Sequence, residues 1–312
     1  MSAAGRAAHS ALKDLAPAPF AGQYQGMTQL PVISRFAPSP TGQLHRGHAF
    51  SALTAARTAT DLGGRMILRI EDIDAERCRP QFETAIFEDL AWLGLTWDQP
   101  VRRQSQHLAD YAAALERLQA QGLAYRCFRT RKDVLDDIAR APHGPTTAFT
   151  GAPLGPDEEQ QRLATGEAFA WRLSLVAARE RLGASWPSLD FEEQGAGPAG
   201  EHGRIAIAPE RLGDVILARK GLGVAYHLAV VVDDALQAVT HVVRGEDLFE
   251  ATFIQRLLQA LLDLPTPVYR HHPLLLGPDG KRYAKRDRAQ TLTELRAGGL
   301  TAQALRAELG FG

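Results

Sequence analysis

Apolar positions along the first third of the chain switch between two periods, and each switch marks an element. PVISRFAPSPTG (31–42) opens as a short β-like run and breaks into a Pro/Gly loop; HAFSALTAARTATDL (48–62) then carries apolar residues at helical spacing. GRMILRIEDID (64–74) reads as a buried strand that ends in a cluster of acids. FETAIFEDLAWLGL (82–95) is an amphipathic helix closed by Gly94, and HLADYAAALERLQAQGLAYRCF (107–128) repeats the pattern, with Gly122 as the stop before a strand. Strands and helices alternating in this way predict an α/β protein with a parallel sheet.

The period is lost from about 130 to 205, where PHGPTTAFTGAPLGPDEE and EEQGAGPAGEHG are loop-rich and AFAWRLSL (168–175) is a short strand between them. This stretch reads as an insertion. Order returns in GDVILARKGLGVAYHLAVVVDDALQAVTHVVRGEDL (213–248), read as three β-branched strands, with LAVVVDD (228–234) apolar enough for a sheet interior. ATFIQRLLQALLDL (251–264) is a strong helix, and TLTELRAGGLTAQALRAELG (291–310) reads as helix, Gly-Gly break, helix. The first 30 residues, rich in Ala, Gly and Pro, read as a mobile extension, with Met27 as an alternative start. The expected division is therefore 1–30 extension, 31–125 with 205–265 as the main domain, 126–204 as a smaller α+β insertion, and 266–312 as a loop segment with terminal helices.

Composition narrows the picture only slightly. A chain of 312 residues, 45% hydrophobic and 23% charged, is ordinary for a folded protein of one or two domains. No apolar run reaches the roughly 18 residues of a membrane helix, and no export signal is legible, so a cytoplasmic protein without membrane contact is expected. Cys78 and Cys127 cannot form a disulfide framework and fit a reducing compartment. The net charge of −1 argues against a uniformly basic protein but leaves room for a local basic stripe such as Arg126, Arg129, Arg131 and Lys132, which taken alone reads first as a solvated face.

Four constellations carry candidate chemistry. Pro38–His48 (PSPTGQLHRGH) lies between a strand and a helix, where a glycine loop admits a ligand and a helix start offers N–H groups to phosphate; His45 and His48 share a face and could both donate to it. H-x-G-H arises by chance in about 3% of chains of this composition, so its letters alone leave a surface or incomplete metal pair open. LGPDGKRYAKRD (276–287) presents four cations within six residues on a turn, either a solvated basic loop or a source of charge for departing pyrophosphate. Glu71, Asp72 and Asp74 sit at a strand end, where crevices form in open sheets, or serve as caps. Arg244, in RGED at another strand end, can grip a carboxylate bidentately or form a structural ion pair.

In order and linkage, RFAPSPTGQLHRGH (35–48), ILRIEDID (67–74), AYHLAVVVDDALQAVTHVVRGEDL (225–248) and GKRYAKRD (280–287) resemble the glutamyl-tRNA synthetases over about residues 33–295. The resemblance implies a Rossmann-like class I catalytic core. His45–His48 match the HIGH signature and Arg282–Arg286 its KMSKS partner, from which Arg282, Tyr283 and Ala284 depart while Lys285 is kept. It further implies that His45, Gly47, His48 and Lys285 hold ATP, with His45, His48 and Lys285 acting on the phosphates. Arg35, Phe36, Ala37, Pro38, Ser39, Glu71, Tyr226 and Arg244 would then surround L-glutamate. ATP enters as a substrate accompanied by Mg2+.

Only 27 residues follow Lys285, too few for an anticodon-binding domain. That is similar to the glutamyl-queuosine tRNA(Asp) synthetases, a paralogous branch that transfers glutamate to the queuosine base of tRNA(Asp), and implies that tRNA as partner and a monomeric enzyme. Some members of the branch bind zinc through a Cys-x-Cys pair; here Cys127 is followed by Arg129, so no zinc or other metal site is expected. The alternatives are an ordinary glutamyl-tRNA(Glu) ligase core, another nucleotidyl transferase acting on a small acid, and a non-catalytic tRNA-binding paralogue.

Overall fold

The computed structural model describes residues 31–130, 132–134, 148–219, 223–276 and 290–312. Its main sheet begins with β1 (Ile33–Phe36) and β2 (Arg65–Ile70), parallel neighbours joined by helix α1 (Arg46–Asp61). Along β2 the side chains alternate as a doubly covered strand requires. Met66 and Leu68 enter one core with Ala49, Ala52 and Leu53 of α1, while Ile67 joins the opposite core around Phe253 and Tyr269. Helix α2 (Pro80–Trp92) starts with proline at its first turn and ends before Gly94, which takes φ +74°; α3 (Leu108–Ala120) ends before Gly122 at φ +70°. Both are left-handed positions where glycine has no Cβ to clash. They are the stops the pattern predicted.

The short β3 (Arg102–Arg103) pairs with β2 at the sheet edge. β4 (Ala124–Cys127) leaves this sheet and pairs antiparallel with β5 (Ala170–Leu173), which pairs with β8 (Ile216–Arg219) and β8 with β9 (Gly223–Val224). Helices α4 (Pro156–Ala164) and α5 (Leu175–Leu182) accompany this second, four-stranded sheet. β6 (Asp190–Glu193) and β7 (Gly203–Ala206), inside the stretch read as insertion, instead extend the main sheet. The smaller sheet thus takes strands from both sides of 126–204, and that stretch gives two strands to the main one. Loop-rich sequence hid β6 and β7, because four-residue strands with charged residues show no period.

A larger departure lies at 226–236. LAVVVDD is not a sheet-interior strand. It forms most of helix α6 (Tyr226–Leu236), in which Leu228 to Asp234 are all buried. A short apolar run bounded by turn signals does not distinguish a buried strand from a buried helix. Here α6 packs against α3 and against α7 (Ala251–Leu262), and the three share one core with the second sheet, so apolar residues face neighbours on every side.

β10 (His241–Gly245) and β11 (Val268–His272) complete a seven-stranded sheet ordered β3-β2-β1-β10-β11-β6-β7, parallel except at β7. Chain order runs outward from β1 through β2 to β3 on one side and from β10 to β11 on the other, with the earlier β6 and β7 added beyond β11. The gap above the carboxyl ends of β1 and β10 is therefore the topological switch point, where ligands bind in such sheets. The terminal helices α8 (Leu292–Ala297) and α9 (Ala302–Glu308) set Leu292, Leu295 and Leu305 into the core beneath α1 and α2.

Candidate active site

Four segments meet above the switch point: the loop after β1, Glu71 after β2, Gly245–Asp247 after β10, and His272–Leu275 after β11. The loop is pinned by its backbone, with Glu71 N donating to Pro38 O at 3.0 Å and Arg79 N to Pro40 O at 2.9 Å. A cavity of about 280 Å³ has Ser39, Thr41, Glu71 and Tyr226 in its wall. A second, of about 250 Å³, is lined by His45, Gly47, His48, Gly245, Asp247 and His272. A larger hollow of about 610 Å³ opens by Arg65 at the start of β2 and the terminal Gly312; none of the motif residues lines it.

His45 is the N-cap of α1. Its Nδ1 accepts from Gly47 N at 3.1 Å, and His45 N donates to His48 Nδ1 at 3.1 Å. A nitrogen that accepts a hydrogen bond keeps its lone pair, so in both neutral rings the proton sits on Nε2. The motif thereby makes two oriented N–H donors, their ring centroids 3.8 Å apart. The N–H of Gly47, a residue that the resemblance assigns to ATP, is committed to the cap.

Lys285 and the rest of 277–289 lie outside the described residues. The described residues on either side of it come to this place: Leu275 lines the His45–His48 cavity, and Thr291 forms an antiparallel bridge with His45, with Leu292 N donating to Leu44 O at 2.8 Å.

The charged residues below the loop fall into two groups. In the first, Asp234 of α6 accepts from Arg69 Nη1 at 2.8 Å and from Arg35 Nε at 3.3 Å, and Asp233 accepts from Arg102 Nε at 2.6 Å, Gln104 at 2.8 Å and Tyr111 at 2.9 Å. Burial disfavours the Asp234 carboxylate, but Arg35 and Arg69 outweigh it and hold its pKa below the ordinary value. Glu71 takes a share of Arg69 at 3.2 Å, yet its pKa is raised, because desolvation exceeds the pull of Arg69 and Arg35, which Asp234 and Asp233 already engage. Glu71 is an under-compensated carboxylate facing a cavity.

Arg244 is the opposite case. It is 5% exposed and its partners are all neutral: Gln255 Oε1 at 2.8 Å, Thr252 Oγ1 at 2.7 Å, His271 Nε2 at 3.1 Å and, more distantly, Tyr226 Oη at 3.4 Å. Among the described residues no carboxylate forms an ion pair with it, Glu246 and Asp247 of its own motif included. Two buried polar atoms of nearby residues, Gln255 Nε2 and His227 Nδ1, also find no hydrogen-bond partner there. Burial, then the charge of Arg244, lower the His227 pKa to about 4. An unpaired buried guanidinium is costly unless a ligand supplies the anion.

A profile for tRNA synthetases class I (E and Q), catalytic domain, matches residues 31–147 and 199–310. The chain belongs to the class I tRNA synthetases of the E and Q type. It is 48% identical to the glutamyl-Q tRNA(Asp) synthetase of Rhodobacter capsulatus, over 90% of this chain and 100% of that one. It is 41% identical to the enzyme of that name from Symbiobacterium thermophilum, over 90% and 86%. Among solved structures it resembles a glutamate tRNA ligase from Elizabethkingia meningosepticum in complex with its amino acid, at TM-score 0.67 and 28% identity. That match covers 83% of this chain and 53% of the ligase, so the chain spans about half the ligase's length.

The synthetase fold gathers Arg35, Ser39, His45, Gly47, His48, Glu71, Tyr226 and Arg244 around the carboxyl ends of the central strands. Phe36 differs, its side chain packing in the core with Leu68 and Val243. Asp72 accepts from Ser105 N and Oγ, and Asp74 pairs with Arg77 at 2.6 Å, so both serve local structure. Arg126 pairs with Glu159 and lies over Trp171, at 4.5 Å from the ring centre. Cys127 is buried beside Tyr125 and Phe149. Arg69, Asp233, Asp234, Gln255 and His271, which surround the candidate residues, were not singled out by the sequence. Only the doublet Asp233–Asp234, acids at the end of an apolar run, could have flagged itself.

Proposed function

We propose that the chain activates L-glutamate with ATP and transfers it to the queuosine base of tRNA(Asp). The observation that carries this is a pair of incompletely neutralised charges linked through Tyr226, which lines the cavity with Glu71 and accepts from Arg244 Nη1 at 3.4 Å. Arg244 lacks a carboxylate, Glu71 lacks a full cation, and an acidic amino acid offers both. Arg244 would take the side-chain carboxylate with Tyr226 beside it, and Glu71 the ammonium. Arg35, held by Asp234, would contribute positive potential, and Ala37, Pro38 and Ser39 would shape the loop over the amino acid. The Nε2 donors of His45 and His48 and the cation of Lys285 would stabilise the triphosphate while the α-carboxylate attacks the α-phosphate in line, releasing pyrophosphate.

Among the described residues no group of three His, Cys, Asp or Glu side chains is arranged to hold a metal ion. Mg2+ would then come in on the phosphates as part of the substrate. The names of the two relatives support queuosine-bearing tRNA(Asp) as acceptor. The same reading takes the protein as a cytoplasmic monomer, and its two free cysteines suit a reducing compartment.

Two assays test this. Glutamate-dependent ATP–pyrophosphate exchange should proceed without tRNA. Labelled glutamate should then pass to tRNA from queuosine-containing cells and not to tRNA from queuosine-deficient ones. Stable labelling of tRNA(Glu) instead would make the chain a glutamyl-tRNA(Glu) ligase core, and absence of exchange would leave only a binding role.

A further inference from the structure

The guanidinium of Arg244 is held from behind by a chain of buried polar groups that reaches into β6. Its Nε donates to His271 Nε2 at 3.1 Å. Arginine does not give up its proton, so that ring nitrogen must be the acceptor and Nδ1 must carry the hydrogen. Nδ1–H lies 2.5 Å from Glu193 Oε2, while Glu193 Oε1 accepts from His271 N at 2.9 Å and Gly195 N at 2.7 Å. The side chains of His271 and Glu193 are fully buried. A carboxylate with this many donors has one orientation, and it dictates the tautomer of the imidazole.

We propose that Glu193 and His271 are positioning residues for recognition of the substrate carboxylate. Glu193 locks His271 as the Nδ1–H tautomer, and the free Nε2 lone pair of His271 sets the plane of the Arg244 guanidinium. The proposal deepens the glutamate reading of Arg244 and rests on it. The alternative tautomer, or a doubly protonated ring, would aim an N–H at Arg244 Nε and turn the guanidinium out of register. The charged and titratable groups facing His271 are Glu193 from β6, Arg244 from β10 and His272 on its own strand. Tyr269 stacks beside it, and Phe249 just before α7 and Thr252 in its first turn also face it. Burial, then Arg244, depress the His271 pKa against the opposing pull of Glu193. The neutral ring that the arrangement needs is therefore the form present at neutral pH.

Amide substitutions separate the two ring nitrogens. In His271→Asn the side-chain amide can reach Glu193 but not Arg244; in His271→Gln it can reach Arg244. His271→Asn should raise the KM for glutamate about 10-fold or more in pyrophosphate exchange, the size expected when a hydrogen bond to a charged group is lost. The KM for ATP should stay within about 2-fold of wild type, inside the scatter of surface effects. His271→Gln should recover most of the glutamate loss. In Glu193→Gln the anion that favours His271 protonation is gone, so the acid limb of kcat/KM for glutamate should move to lower pH. Equal losses in His271→Asn and His271→Gln, or an unmoved acid limb in Glu193→Gln, would overturn the assignment. Nitrogen-15 spectra of wild-type histidines judge the arrangement without any activity: a protonated Nε2 on His271 at neutral pH refutes it. If wild type shows the expected tautomer but no glutamate-dependent exchange, the glutamate reading is what fails.

Discussion

Replacing Arg244 with alanine tests the centre of the site. Arg244 is buried at the end of β10, three neutral groups orient it, and no described carboxylate neutralises it. Its charge is thus available to a substrate carboxylate with little solvent screening. Truncating one partner of a buried, hydrogen-bonded charge pair costs about 2–5 kcal/mol. At 1.4 kcal/mol per decade this is a loss of about 30- to 4,000-fold in kcat/KM for glutamate. Arg35 cannot take over, because it is tied to Asp234 and to the carbonyl of Val243. Arg244→Lys should fall between, keeping the charge but losing the fork and the bond to His271. The assay is pyrophosphate exchange with glutamate and ATP varied separately, beside circular dichroism to confirm the fold. The reasoning is refuted if the glutamate and ATP parameters fall together, since Arg244 would then be structural, or if neither moves.

Two further outcomes are expected. Lys285→Ala should slow adenylate formation by about 100- to 1,000-fold, as when one preorganised charge on a transition state is removed, and leave the melting curve unchanged; exchange near the wild-type rate would remove Lys285 from the site. Asp89 of α2 is fully buried, and one of its oxygens has no partner among the described residues. Desolvation, only partly offset by Arg296, raises its pKa to about 6. A carboxyl whose pKa is higher folded than unfolded favours the native state most at low pH. Stability should therefore fall as pH rises from about 4 to about 6, by about 3 kcal/mol. Asp89→Asn should flatten that part of the curve in denaturant titrations and raise stability at pH 8; an unchanged pH profile would show that Asp89 ionises normally.

The sequence by itself determined the elements whose signal is local. Periodicity marked α1, α2, α3 and α7, Gly94 and Gly122 marked their turns, and the helix–Gly-Gly–helix ending gave α8 and α9. The ordered motifs singled out His45, His48, Glu71 and Arg244 as candidates, because phosphate and carboxylate chemistry confine the residue types that serve it, and the resemblance to the glutamyl-tRNA synthetases added Tyr226. Tertiary structure decided what depends on neighbours distant in the chain. Whether LAVVVDD was strand or helix turned on α3, α7 and the second sheet surrounding it, which no period reports. β6 joined the main sheet by pairing with β11, bringing together Glu193 and His271 across 78 residues, and β7 followed by pairing with β6. The charge state of the site was decided in the same way. Arg69 and Arg244 are the same residue type at two strand ends, but only the fold puts Asp234 beside one and neutral Gln255, Thr252 and His271 beside the other. Electrostatic vacancy is a property of surroundings, and surroundings are assembled only when the chain folds.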